Sequence, residues 1–152
     1  MLAKDIMTTD VISVHKDDKV EDAMKLLLEK DISGLPVVDD NNKLIGIITE
    51  GDLIYKSNNF HFPLYYSIFD SYIFLENPSI IEEQLEKMTG YKIEEVMTKT
   101  VYSAKADASI NDISTLMTNK DVNRIPIVDD NDILIGIVAR KDIIKSYIDS
   151  EK

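Results

Sequence analysis

The chain is written twice. Residues 3–54 recur at 93–144 with a constant offset of 90 and no gap. Met7-Thr8 returns as Met97-Thr98, LPVVDDN at 35–41 as IPIVDDN at 125–131, and LIGI at 44–47 reappears unchanged at 134–137. Asp52 returns as Asp142. Seven of the differing positions are Val/Ile/Leu exchanges, which keep apolar character and facing. A solenoid stacks at least about three units. Two copies instead predict one compact domain with pseudo-two-fold symmetry, whose function lies where the copies meet.

Within each copy the pattern reads as a short opening strand, a helix, two strands and a closing helix. Val11–Val14 and Val101–Ser103 are β-prone runs after a Met-Thr corner. Asp17 and Asp107 are expected as helix N-caps, because a carboxylate accepts from first-turn amides. Val20, Ala23, Met24 and Leu27 then fall at helical spacing, as do Ile110, Ile113, Leu116 and Met117. This periodicity predicts core rather than a cofactor-binding stripe. Apolar runs on either side of DDNNK at 39–43 predict a β-hairpin, repeated at 129–133. Pro36 stands at the front of its strand, where a missing ladder donor is tolerated. Gly46 and Gly136 interrupt their strands at one equivalent place, which predicts a close backbone approach. Closing helices are expected from near Glu50 and Arg140, with Leu53-Ile54 and Ile143-Ile144 packing inward.

The boundaries implied are a first motif at 1–57, an insert at 58–92 and a second motif at 93–152. The insert is aromatic-rich and carries all four phenylalanines, Phe60, Phe62, Phe69 and Phe74. A helix IIEEQLEKM follows, capped near Ser79 and ended by Gly90. So many large apolar side chains either cover the joint between the copies or form a patch for another subunit. The residues leave both open.

Composition narrows the function. At 152 residues the chain fits one domain, and its 44% apolar and 30% charged residues are those of a folded globular protein. Cysteine is absent, which excludes disulfides and thiolate metal sites. No signal peptide and no run of the ~20 apolar residues that span a bilayer are evident, so a cytoplasmic protein is expected. A formal net charge of −11 argues against nucleic-acid and anionic-membrane binding. Any anionic ligand then needs a locally positive pocket. The only arginines, Arg124 and Arg140, are both in the second copy.

In combination, DIMTTDVISV at 5–14, LPVVD at 35–39 and GIITEGD at 46–52, with EVMTKTVYS at 95–103, IPIVD at 125–129 and GIVARKD at 136–142, resemble a tandem pair of cystathionine β-synthase (CBS) domains, a Bateman module. The resemblance covers both copies. It implies an α/β (α+β) fold of two β-α-β-β-α units about a pseudo-two-fold axis. It also implies two clefts that in many members bind adenosyl ligands, further association into homodimers, and a regulatory rather than catalytic role.

Carried over by position, Asp52 and Asp142 match the family's ribose-binding aspartate. A carboxylate can accept from both ribose hydroxyls; a plain helix-terminus role is the alternative. Thr49 either donates to a phosphate or caps its helix. In the first cleft the resemblance points to Asp10, Ile12, Gly34, Leu35, Pro36, Thr49 and Asp52. In the second it points to Thr100, Tyr102, Asn123, Arg124, Ile125, Pro126, Arg140 and Asp142. Ile12 with Leu35, and Tyr102 with Ile125, would flank the base, and Tyr102 either stacks on a purine or fills an interface. Arg124 and Arg140 suit a phosphate, while Ala139 replaces a hydroxyl-bearing residue. The first cleft has Gly34 and Glu50 in the two arginine positions, so it favours an uncharged or cationic adenosyl compound, or none.

No catalytic constellation is present. His15 and His61 have no metal-ligand spacing, His15 reads as part of a solvated turn, and there is no phosphate-binding glycine-lysine loop. The leading expectation is a non-enzymatic sensor of AMP, ADP, ATP or S-adenosylmethionine, with no required cofactor or metal, that signals to an unidentified partner protein. The alternative is a constitutive dimerisation module with empty clefts.

Overall fold

The apolar positions at helical spacing form the expected helices. The computed structural model describes residues 1–55, 65–68, 71–74 and 91–151. After α1 (Ala3–Ile6) and β1 (Val14–His15) comes α2 (Val20–Glu29), which buries Val20, Ala23 and Leu27. Its counterpart in the second repeat buries Ile110, Ile113 and Met117. The starts of these two helices differ from expectation. Asp17 and Asp107 each stand two residues ahead of the capping position, too far upstream to reach first-turn amides. Lys19 precedes α2 without a side-chain cap, whereas Ser109 Oγ accepts the Asp112 amide at 3.1 Å. Both helices are followed by an aspartate in the left-handed region, Asp31 at φ 54 and Asp121 at φ 51. A short polar side chain tolerates that conformation better than most.

The strand pairs also form. β2 (Gly34–Val38) lies between β1 and β3 (Leu44–Thr49) in a three-stranded sheet, with Val14 opposite Val37 in parallel pairing. α3 (Glu50–Tyr55) closes the repeat. The insert contains an antiparallel pair, β4 (Tyr65–Ile68) and β5 (Ser71–Phe74). The predicted helix at 80–88, its cap near Ser79, and Phe60, Phe62 and Phe69 lie outside the described residues.

The second repeat follows as α4 (Ile93–Val96), α5 (Ile110–Lys120), β6 (Arg124–Val128), β7 (Leu134–Ala139) and α6 (Arg140–Ser150). β6 and β7 pair antiparallel, with Arg124 opposite Ala139. Their turn is organised by Asp129, whose Oδ1 accepts the Asn131 and Ile133 amides at 2.8 and 3.0 Å. The opening runs are more modest than expected: two residues of β1 in one repeat, and a single parallel bridge, Ala104 to Ile127, in the other. His15, at the end of β1, accepts the Asp17 amide through Nδ1 at 3.1 Å. The four-residue helices α1 and α4 escaped the sequence reading because one turn is too short to display a period.

Two compact units cut across the repeats. One, here the Asp52 unit, comprises residues 13–39 and 45–100; the other, the Asp142 unit, comprises 1–12, 40–44 and 101–152. Each therefore joins the opening segment of one repeat to the body of the other. In the Asp52 unit Ile93, Val96 and Met97 share a core with Val20, Ala23, Leu27, Leu35, Val37, Ile48 and Leu53. In the Asp142 unit Ala3 shares a core with Ile110, Ile113, Met117, Ile125, Ile127, Val138 and Ile143. The predicted close approaches obey the same exchange. A Cβ on Gly46 would fall under 3.0 Å from Met97 Sδ, and one on Gly136 equally close to Met7 Sδ. One expectation fails on α6: Ile143 is buried, but Ile144 is 60% exposed.

Candidate functional site

In the Asp52 unit the ends of β2 and β3 are tied together where the Glu50 amide donates to Ser33 O at 3.1 Å. That places Gly34, Leu35 and Pro36 beside Thr49 and the first turn of α3. Asp52 is only 7% exposed, and its carboxylate is heavily engaged. Oδ2 accepts the Thr49 amide at 3.0 Å and the Thr49 hydroxyl at 3.2 Å, while Oδ1 accepts Thr98 Oγ1 at 2.6 Å. The Asp52 amide donates back to Thr49 Oγ1 at 3.3 Å, a reciprocal cap. Thr49 thus spends its hydroxyl on the aspartate. Glu50 differs: its Oε2 is buried and has no hydrogen-bond partner among the described residues. A buried carboxylate oxygen without a donor is costly.

The Asp142 unit has the same backbone frame, since the Arg140 amide donates to Asn123 O at 3.1 Å. Its polar lining is different. Asp142 Oδ2 accepts the Ala139 amide at 2.8 Å. Among the described residues nothing else donates to this carboxylate: Ala139 has no hydroxyl, and Thr8, the counterpart of Thr98, makes no side-chain bond to it. Arg124 stands opposite Ala139 in the β6–β7 register, at the end of the hairpin that Asp142 caps. The Arg140 guanidinium is 54% exposed and lies 4.0 Å from a fully exposed Asp121 carboxylate. A pair so solvated restrains it weakly. Tyr102 is half-buried, with Lys120 Nζ 5.1 Å from its ring centroid.

Not every predicted residue joins its group. Asp10 and Ile12, assigned with the first cleft, belong to the Asp142 unit, and Thr100, assigned with the second, belongs to the Asp52 unit. All three are exposed. Leu35 and Ile125 are 0% exposed, and Pro36 and Pro126 are fully buried as well. Their side chains fill the cores, so what these positions offer a ligand is backbone. Thr98 and Lys120 were missed. The Met-Thr duplication singled out Thr98, but nothing in the sequence says which aspartate it meets.

The model of the CBS domain matches residues 3–59 and 93–149. An uncharacterized protein of Methanocaldococcus jannaschii is 36% identical over 97% of this chain and 92% of its own length. Inosine-5'-monophosphate dehydrogenase of the same organism is also 36% identical, over 94% of this chain, but the match spans only 23% of that enzyme. Among solved structures, CBSX2 in complex with AMP superposes with a TM-score of 0.75 at 25% identity, covering 99% of this chain and 98% of that one. The CBS domain pair of protein MJ0100, in complex with 5'-methylthioadenosine and S-adenosyl-L-methionine, gives a TM-score of 0.68 at 27% identity, over 100% and 98%. The duplicated sequence, the two matched bodies and these superpositions together place the chain in the CBS-domain family, as a tandem pair.

Proposed function

We propose that this protein is a non-catalytic regulatory module that binds an adenosyl ligand bearing phosphate, and that the Asp142 unit holds it. The observation that carries this is the contrast in carboxylates. Asp142 keeps accepting capacity for ribose hydroxyls, with Arg124, a half-exposed Arg140 and the amides at the start of an eleven-residue helix in the same unit. AMP bound to CBSX2 supports the ligand class. Binding regulates only if the ligand prefers one of two states, and a partner protein is what would read that preference.

The Asp52 unit supports a different reading. Its aspartate is occupied by Thr49 and Thr98, and Glu50 adds a carboxylate where a phosphate would be repelled. This cleft takes a cationic adenosyl compound such as S-adenosylmethionine, whose charge would satisfy Glu50, or it stays empty and serves assembly. Titration calorimetry of the full chain against AMP, ADP, ATP, adenosine and S-adenosylmethionine tests both statements. We expect phosphate-bearing ligands to bind at one site. Equal affinity for adenosine and AMP, or no heat from any of the five, would overturn the phosphate assignment.

A further inference from the structure

At the start of α6 a carboxylate stands against one of the two arginines in the chain. Arg140 is the first residue of α6, and its amide donates to Asn123 O at 3.1 Å. Two residues before Asn123, Asp121 follows α5 in the left-handed conformation, at φ 51 and ψ 49. Its fully exposed carboxylate lies 4.0 Å from the Arg140 guanidinium.

The pair is too solvated to hold the arginine in place. The carboxylate, however, owes its position to the backbone rather than to the pair. The Asp121 amide donates to Thr118 O at 3.4 Å, and the Val122 amide to Met117 O at 3.0 Å. These bonds close the end of α5, and the bond from Arg140 to Asn123 ties that end to the start of α6. A negative charge is thereby anchored beside Arg140.

The first repeat separates the structural duty of this residue from its charge. Asp31, the counterpart of Asp121, follows α2 in the same conformation at φ 54, but Glu50 stands where the second repeat has Arg140. The left-handed aspartate is therefore a helix stop common to both repeats. Asparagine and glycine also adopt that conformation, so helix termination alone does not require the charge. In the Asp142 unit the charge meets a guanidinium.

We propose, resting on the phosphate reading above, that Asp121 is a specificity-determining residue of the Asp142 unit: its carboxylate competes with a ligand phosphate for Arg140. A phosphate that takes Arg140 comes within several ångströms of Asp121, where like charges repel through incomplete screening. Uncharged adenosine meets no such repulsion. Asp121 thus narrows the preference for phosphate-bearing ligands and raises the concentration at which they fill the site.

Titration calorimetry of the full chain with AMP and with adenosine tests this. In dilute salt, Asp121→Asn should bind AMP about fivefold more tightly than wild type does, with adenosine changed by less than about twofold. Asp121→Gly, which suits a positive φ without strain, should behave alike. In about 1 M salt, where the screening length is roughly 3 Å, the gain should fall below about twofold. Asp149→Asn removes the same charge nine residues further along α6, a rise of about 14 Å, and should leave both ligands unchanged. Unaltered or weakened AMP binding in both Asp121 variants, an equal gain for adenosine, a gain that survives 1 M salt, or an equal gain from Asp149→Asn would each overturn the proposal. If AMP outbinds adenosine in the wild type but the Asp121 variants change nothing, the phosphate assignment stands and this proposal alone fails. If neither wild type nor variant prefers AMP, both fail.

Discussion

Asp52 and Asp142 occupy the same place in the repeat, yet they do different physical work. Asp52 is buried under three hydrogen bonds from two threonines, one of them delivered by the other repeat's opening segment. Asp142 holds one backbone amide and keeps the rest of its accepting capacity. Much of the difference follows from one position, Thr49 against Ala139, which removes both the hydroxyl donor and the reciprocal cap. Duplication supplied two frames. Where the hydroxyl is absent the aspartate keeps one amide, and where it is present the aspartate is bound into the structure.

The sharpest way to break this comparison is to delete each carboxylate. Asp52→Ala should strip the partners from two threonine hydroxyls and an amide, lowering unfolding stability by about 3 kcal/mol in urea titrations. Asp142→Ala should cost under about 1 kcal/mol in the same assay but weaken AMP by about 100-fold, or ~2.7 kcal/mol, in calorimetry. Equal stability losses would erase the distinction. Arg124→Ala sharpens it further: AMP should weaken by about tenfold, ~1.4 kcal/mol, while adenosine is nearly unaffected, because a charge-assisted contact to phosphate is lost. The smallest effect tests the two threonines. Thr98→Val should cost about 1 kcal/mol through loss of its hydrogen bond to Asp52, and Thr8→Val within about 0.5 kcal/mol of nothing.

Much of the frame was legible in the sequence because it is written in apolar periodicity and turn chemistry. Val20, Ala23 and Leu27 were readable as one buried helix face, and Gly46 as a site of close approach. The composition of the units was harder, although the sequence does hold a trace of it. Packed within itself, the first repeat would combine Ala3 with Ala23, and the second Ile93 with Ile113. The structure instead sets Ile93 with Ala23 and Ala3 with Ile113, so each core receives one large and one small side chain. Such volume matching keeps interiors close-packed without strain. Capping was misread at Asp17 and Asp107 because cap geometry is decided within a residue or two, finer than pattern alone resolves. The inward facing of Ile144 was misread because a run of two isoleucines at a helix start does not say which of them turns toward the core.

At the site, residue types were legible and occupancy was not. Thr49 and Asp52 spell the same spacing whether the hydroxyl and carboxylate serve a ligand or each other. Only the distance to Thr98, contributed from forty-six residues away, separates the two. Leu35 and Ile125 were read as base-flanking positions, yet their side chains are wholly engaged in the cores.

The exchange of opening segments has a consequence for synthesis. A chain emerging from the ribosome at about 5–20 residues per second ordinarily folds its first domain before the second is made. Here the core around Val20 and Leu35 lacks Ile93, Val96 and Met97 until nearly two thirds of the chain exists. Ala3, among the first residues made, waits for Val138 and Ile143, among the last. Neither half is a self-sufficient product, so a fragment ending between the repeats exposes an unfinished core. The core around Leu35 is complete by about residue 100, whereas the one around Ile125 waits for nearly the whole chain.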